Sequence, residues 1–173
     1  TIPDPSVPIV IGDAFNHLHK PCIAKVHANV YAGAHLLVCG CTHVIASKNA
    51  QFSLPEVKRG IWPMQVMASL ATVMSPRQLL DYCMRGKSLS SQEALELGLA
   101  TQVVEEEALD NTVNELVDEL RQLSPSAIRL GLKAWDELKN IDHSKQHEYL
   151  LKMLQKILQT EDAAEGLQAF AEK

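Results

Sequence analysis

No run of about 18 consecutive apolar residues occurs in the 173-residue chain, and a membrane-crossing helix needs roughly that many. No membrane span is expected. The opening residues, TIPDPSVPIVIGD, lack the basic start and unbroken apolar stretch of a secretory signal, so export is not expected either. Positive charge is in short supply, with 16 Lys and Arg against 21 Asp and Glu and a formal net charge of -5. Such a balance gathers neither nucleic acid nor anionic lipid over the whole surface. The basic residues are dispersed and no stacking platform is visible, so nucleic acid is excluded as a partner.

Cysteine is limited to Cys22, Cys39, Cys41 and Cys83. They include one C-x-C pair but no second pair at zinc-site spacing. Three of them lie inside apolar runs, which predicts buried free thiols in a reducing compartment. The chain has no G-x-S-x-G elbow, no phosphate-binding glycine loop and no H-E-x-x-H. Seven histidines are present, including His17 with His19 and His143 with His147, but no Asp or Glu stands near them at ligand spacing. A metal site is therefore not expected.

What is present reads as an α/β protein. Hydrophobic residues make up 46% of the chain and charged residues 21%, the proportions of an ordinary globular protein. Pro3, Pro5 and Pro8 make an extended lead, and a short helix is predicted from Asp13 to His19. Strands are predicted at 20–26, 42–46 and within LATQVV near 102, with a buried helix over AGAHLLVCGC between the first two. Residues 50–65 contain Pro55, Gly60 and Pro63 and read as a loop. Ser75-Pro76 and Ser124-Pro125 each place a capping residue before a proline at the first helical position, so helices are expected from Pro76, after the Ser90–Glu93 capping box, and at about 106–122, 125–138, 143–159 and 162–172. Leu150, Leu151, Leu154, Ile157 and Leu158 share one helical face, which points to core or subunit interface. The resulting division is a partial α/β core at 1–105 and a helical region at 106–173. Three strands make a narrow sheet, so partner strands are expected outside the sequence.

Two places could carry chemistry. Glu56 follows Pro55 among Phe52, Leu54, Val57, Ile61 and Trp62, and a carboxyl group in apolar surroundings holds its proton more tightly and can exchange it with a carbon acid. A salt bridge to Lys58 or Arg59 is the equally available alternative. Ala32-Gly33-Ala34 opens the buried helix, where small side chains allow a ligand to reach free N–H groups; close helix packing would ask for the same residues. His35, two positions past Gly33, could face a pocket or serve packing.

These segments are ordered as in a known family. KPCIAKVHANVYAGAHLLVCGCTHVIAS at 20–47, NAQFSLPEVKRGIWP at 49–63, GKSLSSQEALELGLATQVV at 86–104 and the terminal EDAAEGLQAFAEK together resemble the C-terminal two thirds of the enoyl-CoA hydratase/isomerase, or crotonase, family. The resemblance implies a crotonase-like ββα spiral followed by C-terminal helices, N-terminally incomplete, because the family's opening strands and A-G-x-D loop have no counterpart here. The three glycines of the family's oxyanion turn fall on Ala32, Gly33 and Ala34. Gly33 would thus offer its N–H to a thioester oxygen, as one half of an oxyanion hole. The family's first glutamate falls on Leu36 and its second on Glu56.

The function implied is that of an acyl-CoA enzyme, either a hydratase or a double-bond isomerase acting on unsaturated fatty acyl-CoA. Glu56 would move the proton, with Trp62 and Leu36 along the acyl chain and Ala32 and Ala34 beside the substrate. His35 is the nearest substitute for the lost glutamate, and Lys173 could meet a CoA phosphate. One carboxylate suffices to move a proton between two carbons, so the retained residues lean towards isomerisation. Loss of a family glutamate also motivates a non-catalytic acyl-CoA binder or oligomeric scaffold. By the same resemblance the partner is an acyl-CoA thioester, CoA arrives as part of the substrate with no permanent cofactor, and assembly is a homotrimer or dimer of trimers. The compartment would be the cytoplasm or the mitochondrial matrix.

Overall fold

The computed structural model describes Ile11, Ala14, Phe15 and residues 17–172. Contacts divide the chain into two compact units, Thr1–Phe15 with Cys22–Asn114, and Asn16–Pro21 with Glu115–Lys173.

The first unit repeats a strand–strand–helix pattern. β1 (Ile23–Val26) and β2 (Val30–Tyr31) lead through a 3-10 turn at Ala32–Ala34 into α1 (His35–Gly40). β3 (His43–Ser47) and β4 (Gln51–Ser53) then lead through a second 3-10 turn at Glu56–Arg59 into α2 (Met64–Leu70). β1 pairs in parallel with β3, starting at Ile23 opposite His43, and β2 pairs in parallel with β4, with Val30 opposite Phe52. Each strand of one repeat therefore stacks on its equivalent in the next. α3 (Pro76–Arg85), β5 (Ser88–Ser90), α4 (Ser91–Glu96) and β6 (Gln102–Val104) complete the unit, which continues into α5 (Leu109–Arg121). β6 extends the first sheet in parallel beside β3, and β5 closes the second antiparallel to β4.

The sequence explains this stacking. β3 lies between β1 and β6, and Val44, Ile45, Ala46 and Ser47 are all buried, as expected of a parallel strand covered on both faces. Phe52, Leu54, Leu70 and Leu89 are fully buried, and each such side chain contributes about 1.5–3 kcal/mol relative to an exposed one. Thr101 fastens β6 to β3: its hydroxyl accepts from the Val44 N–H at 2.9 Å and donates to the Val44 carbonyl at 2.9 Å. The capping box before α4 is present, the Ser90 hydroxyl accepting from Glu93 N–H and the Glu93 carboxylate from Ser90 N–H.

The second unit is helical. α6 (Pro125–Leu138), α7 (Gln146–Leu158) and α8 (Glu161–Ala171) pack on one another. Asp162 at the start of α8 accepts from the Ser124 hydroxyl at 2.7 Å and the Ser126 N–H at 3.0 Å. It thereby satisfies donors at the start of α6 that the helix itself cannot. No helix among the described residues is long and apolar enough to cross a membrane.

Several expectations change. The described residues of 14–19 form turns rather than a helix, since His17 and His19 both adopt left-handed backbone, with φ of 64° and 47°. Asp13 lies outside the described residues. The segment expected to be a loop contains β4, the Glu56 turn and the start of α2. Among the described residues six short strands form two three-stranded sheets, where three strands were expected. Ser75 does not cap α3 with its side chain, its hydroxyl donating instead to Gln78. All four cysteines are free, but only Cys83 is buried. In α7, Leu150, Leu151, Leu154 and Leu158 are exposed, so that stripe is not the core of this chain, and Met153 is the buried residue of the helix.

Candidate active site

The turn before α1 is held by an unusual backbone. Ala32, not Gly33, carries the positive φ, at 48°, a conformation that L residues other than Asn and Asp seldom adopt. The strain has a visible restraint. The Ala32 carbonyl accepts two hydrogen bonds from His35, one from its backbone N–H and one from ring Nδ1 at 2.8 Å. Gly33 stands exposed in this turn, and a Cβ placed on it would meet no atom within 4 Å. Close packing therefore does not require glycine at 33, and the space over its backbone is open.

His35 is fully buried and both ring nitrogens are engaged. Nδ1 faces a carbonyl, so it bears the hydrogen, and Nε2 is left to accept from the Tyr82 hydroxyl 3.1 Å away. The ring also meets Phe52 edge-on, with centroids 6.2 Å apart. Burial pushes the His35 pKa below its ordinary value, outweighing the opposing effect of the Ala32 hydrogen bond; the ring is neutral at neutral pH. Tyr82 is raised far above the usual phenol range, first by burial and then by the negative charge of Glu56.

Glu56 begins the 3-10 turn after Pro55 and is 9% exposed. Neither Lys58 nor Arg59, both exposed, forms an ion pair with it among the described residues, and its Oε2 is buried without a hydrogen-bond partner. Burial followed by the Glu56 charge also raises Cys83. The Glu56 turn packs against α3, while the Ala32–Ala34 turn packs against α1 and α2. Tyr82, on α3, thus connects the two: it donates to the ring that holds Ala32 and lies in the field of Glu56.

Leu36 is buried in α1, so an apolar side chain occupies that position in the core. Trp62 is half-buried against the same core, its indole N–H directed at Met67 Sδ at 3.3 Å. Ala34 is likewise half-buried against it. Lys173 lies outside the described residues. Cys39 is unsuited to thiolate chemistry, because burial, reinforced by Cys41, pushes its pKa up to about 12. Tyr82 escaped the sequence reading because a tyrosine on the inner face of an amphipathic helix looks like any core aromatic. Asp136 was also missed. The fold brings it to His17 and His19, at 2.7 Å and 3.6 Å, an acidic neighbour that local spacing could not supply.

Residues 13–173 match the sequence pattern described as enoyl-CoA hydratase/isomerase. The carnitinyl-CoA dehydratase of Citrobacter koseri is 32% identical over 161 residues, which cover 90% of this chain and 62% of the relative. The chain thus spans less than two thirds of the length of that relative. Among solved structures, an enoyl-CoA hydratase of Mycobacterium smegmatis superposes with a TM-score of 0.88 at 23% identity, covering 93% of this chain and 63% of that one. This likeness shows the fold. An enoyl-CoA hydratase/isomerase from Mycobacterium paratuberculosis superposes with a TM-score of 0.84 at 28% identity, covering 92% and 64%.

Proposed function

Because the chain belongs to the enoyl-CoA hydratase/isomerase family over residues 13–173, we propose that it acts on an acyl-CoA thioester and moves a proton on the acyl chain. The observation that carries this reading is the Glu56 carboxylate, buried with Oε2 unpartnered. An idle buried acceptor costs stability unless something binds it, and a carbon acid is a suitable occupant. Gly33 is an exposed residue whose Cα has open space beside it, and its N–H donates to the thioester oxygen and stabilises the charge that develops there on proton removal. Glu56 takes a proton from C2 of a 3-enoyl thioester and returns it at C4, which shifts the double bond to C2. No resident cofactor is needed for this step, since CoA comes with the substrate.

Hydration of a 2-enoyl thioester is the other reaction of the group, and the relatives' names include both a hydratase and a dehydratase. It requires a positioned water. Leu36 is apolar and buried, and both nitrogens of His35 are already bonded, so neither holds water opposite Glu56. His35 and Tyr82 belong to the reading as positioning residues for the Ala32–Ala34 turn. Trp62, half-buried against the core that contains Leu36, lines the path of the acyl chain. An intracellular setting and a homotrimer are part of the same proposal.

A second reading follows from Leu36 itself: a member of the family that binds acyl-CoA without turnover. Steady-state assays with crotonyl-CoA for hydration and with a 3-enoyl-CoA for isomerisation decide between them. Isomerisation exceeding hydration is expected. Turnover of neither, with thioester binding intact, would establish the second reading instead.

A further inference from the structure

His17, His19 and Asp136 all belong to the second unit. His17 Nδ1 lies 2.7 Å and His19 Nε2 3.6 Å from the same oxygen, Asp136 Oδ2. All three potential ligand atoms lie within 4.8 Å of one another, the one such set among the described residues. The two histidines alternate along a segment in which both take left-handed backbone, and this turns both rings towards one carboxylate. His19 Nε2 is buried and has no hydrogen-bond partner, because 3.6 Å is too long for one. A second Asp136 oxygen, Oδ1, faces Lys139 Nζ at 3.6 Å, which orients the carboxylate with Oδ2 towards the rings.

A simple ion pair accounts for His17 but leaves His19 Nε2 idle. One cation bound to all three groups accounts for both. Two imidazoles and a carboxylate are a donor set suited to zinc and its first-row neighbours. Zinc bonds of about 2.0–2.2 Å in tetrahedral geometry set neighbouring ligand atoms about 3.3–3.5 Å apart. The His19–Asp136 separation of 3.6 Å exceeds that spacing by only about 0.1–0.3 Å. The His17 contact must open by about 0.6–0.8 Å, and the His17 side chain, 79% exposed, has room to move.

We propose that His17, His19 and Asp136 bind a divalent transition-metal cation of the zinc class, with solvent completing its coordination. The bound cation would tie the His17–His19 segment to α6, a role for a part of the chain that the proton-transfer reading leaves without one.

The test is titration of the metal-free chain with zinc chloride by calorimetry, and with cobalt(II) by visible absorption. One equivalent should bind, and cobalt should show the intense bands of a four-coordinate nitrogen and oxygen site. His17→Ala, whose exposed ring can be removed without opening the core, and Asp136→Asn should each weaken zinc binding at least tenfold. Circular dichroism of each variant confirms that the fold is retained. His143→Ala with His147→Ala, and Cys39→Ser with Cys41→Ser, should leave the affinity unchanged. The proposal is overturned if no saturable binding occurs, if His17→Ala binds as the parent does, or if affinity follows His143 and His147 or the cysteine pair.

Discussion

The Tyr82 hydroxyl donates to His35 Nε2 across 3.1 Å while His35 Nδ1 donates to the Ala32 carbonyl, so a phenol on α3 fixes the tautomer of a ring that restrains a left-handed alanine. His35 and Tyr82 are both essentially free of solvent contact. In such a place a satisfied polar pair specifies one geometry, and a half-satisfied one is costly. Tyr82→Phe removes the donor and leaves Nε2 buried without a partner. The expected loss is about 1–3 kcal/mol of unfolding free energy, measured in urea. A double-mutant cycle with His35→Leu should return a coupling of about 0.5–3 kcal/mol; additive losses would mean the two side chains do not act as a unit.

The same ring makes stability depend on pH in a defined direction. Burial lowers the folded-state pKa of His35 below 6.5, so between the two values the unfolded chain binds the proton and the folded chain does not. The contribution is fully present above pH 6.5 and is lost as pH falls through the folded pKa. Unfolding free energy should fall from pH 7 towards pH 5 with a slope of at most about 1.4 kcal/mol per pH unit from this group. In His35→Asn, whose amide can still reach the Ala32 carbonyl but does not titrate, the slope should flatten over that window. An unchanged slope would assign the effect to other residues.

The features written in short sequence spans were legible. Pro55-Glu56 announced a carboxylate in an irregular segment, and the blocks from KPCIA to LATQVV carried the ordering of the fold. β2, β4 and β5 were not legible, because strands of two or three residues are too short to show a period and exist only through pairing with distant neighbours. The left-handed φ of Ala32 was hidden for a related reason: sequence would assign it to Gly33, whereas the His35 ring holds the alanine there. Asp136 and the histidines meet only through the packing of a segment before β1 on α6.

Gly98 tests how the end of α4 is made. Its φ is 84°, and an added Cβ would lie 2.6 Å from the Val73 backbone carbonyl oxygen. Gly98→Ala therefore meets both a disfavoured conformation, costing about 1–2 kcal/mol, and a backbone atom that cannot rotate away. A fall in unfolding free energy of about 2 kcal/mol or more is expected. A loss smaller than that of Gly131→Ala, where an added Cβ meets nothing within 4 Å, would contradict the described turn.

Cys39 supplies a chemical probe of burial. With its pKa raised to about 12, only roughly one molecule in ten thousand carries the thiolate at pH 8, and the thiolate is the species that alkylates. Peptide mapping after iodoacetamide treatment of the folded protein should find Cys39 unmodified at pH 8, and modified only when urea opens the fold. Rapid labelling of Cys39 without denaturant would show that the packing around α1 is looser than described.

Glu56→Gln isolates the proton step from everything else at the site. The amide keeps the size of the carboxyl group and removes the base, so a thioester held by the Gly33 N–H and the apolar walls should bind with similar affinity. Relieving an unpartnered buried carboxylate oxygen also means that the variant should be no less stable than the parent. If Glu56 is the proton carrier, kcat for double-bond migration falls by the 100-fold to 10,000-fold that general acid–base groups typically supply, with KM little changed. Exchange of the substrate's C2 hydrogen with deuterated water provides an independent readout, since it needs only proton removal and return. Turnover and exchange that both survive in Glu56→Gln would remove Glu56 from the chemistry and reduce it to a buried carboxyl group. Loss of exchange with binding intact would locate the proton on this side chain.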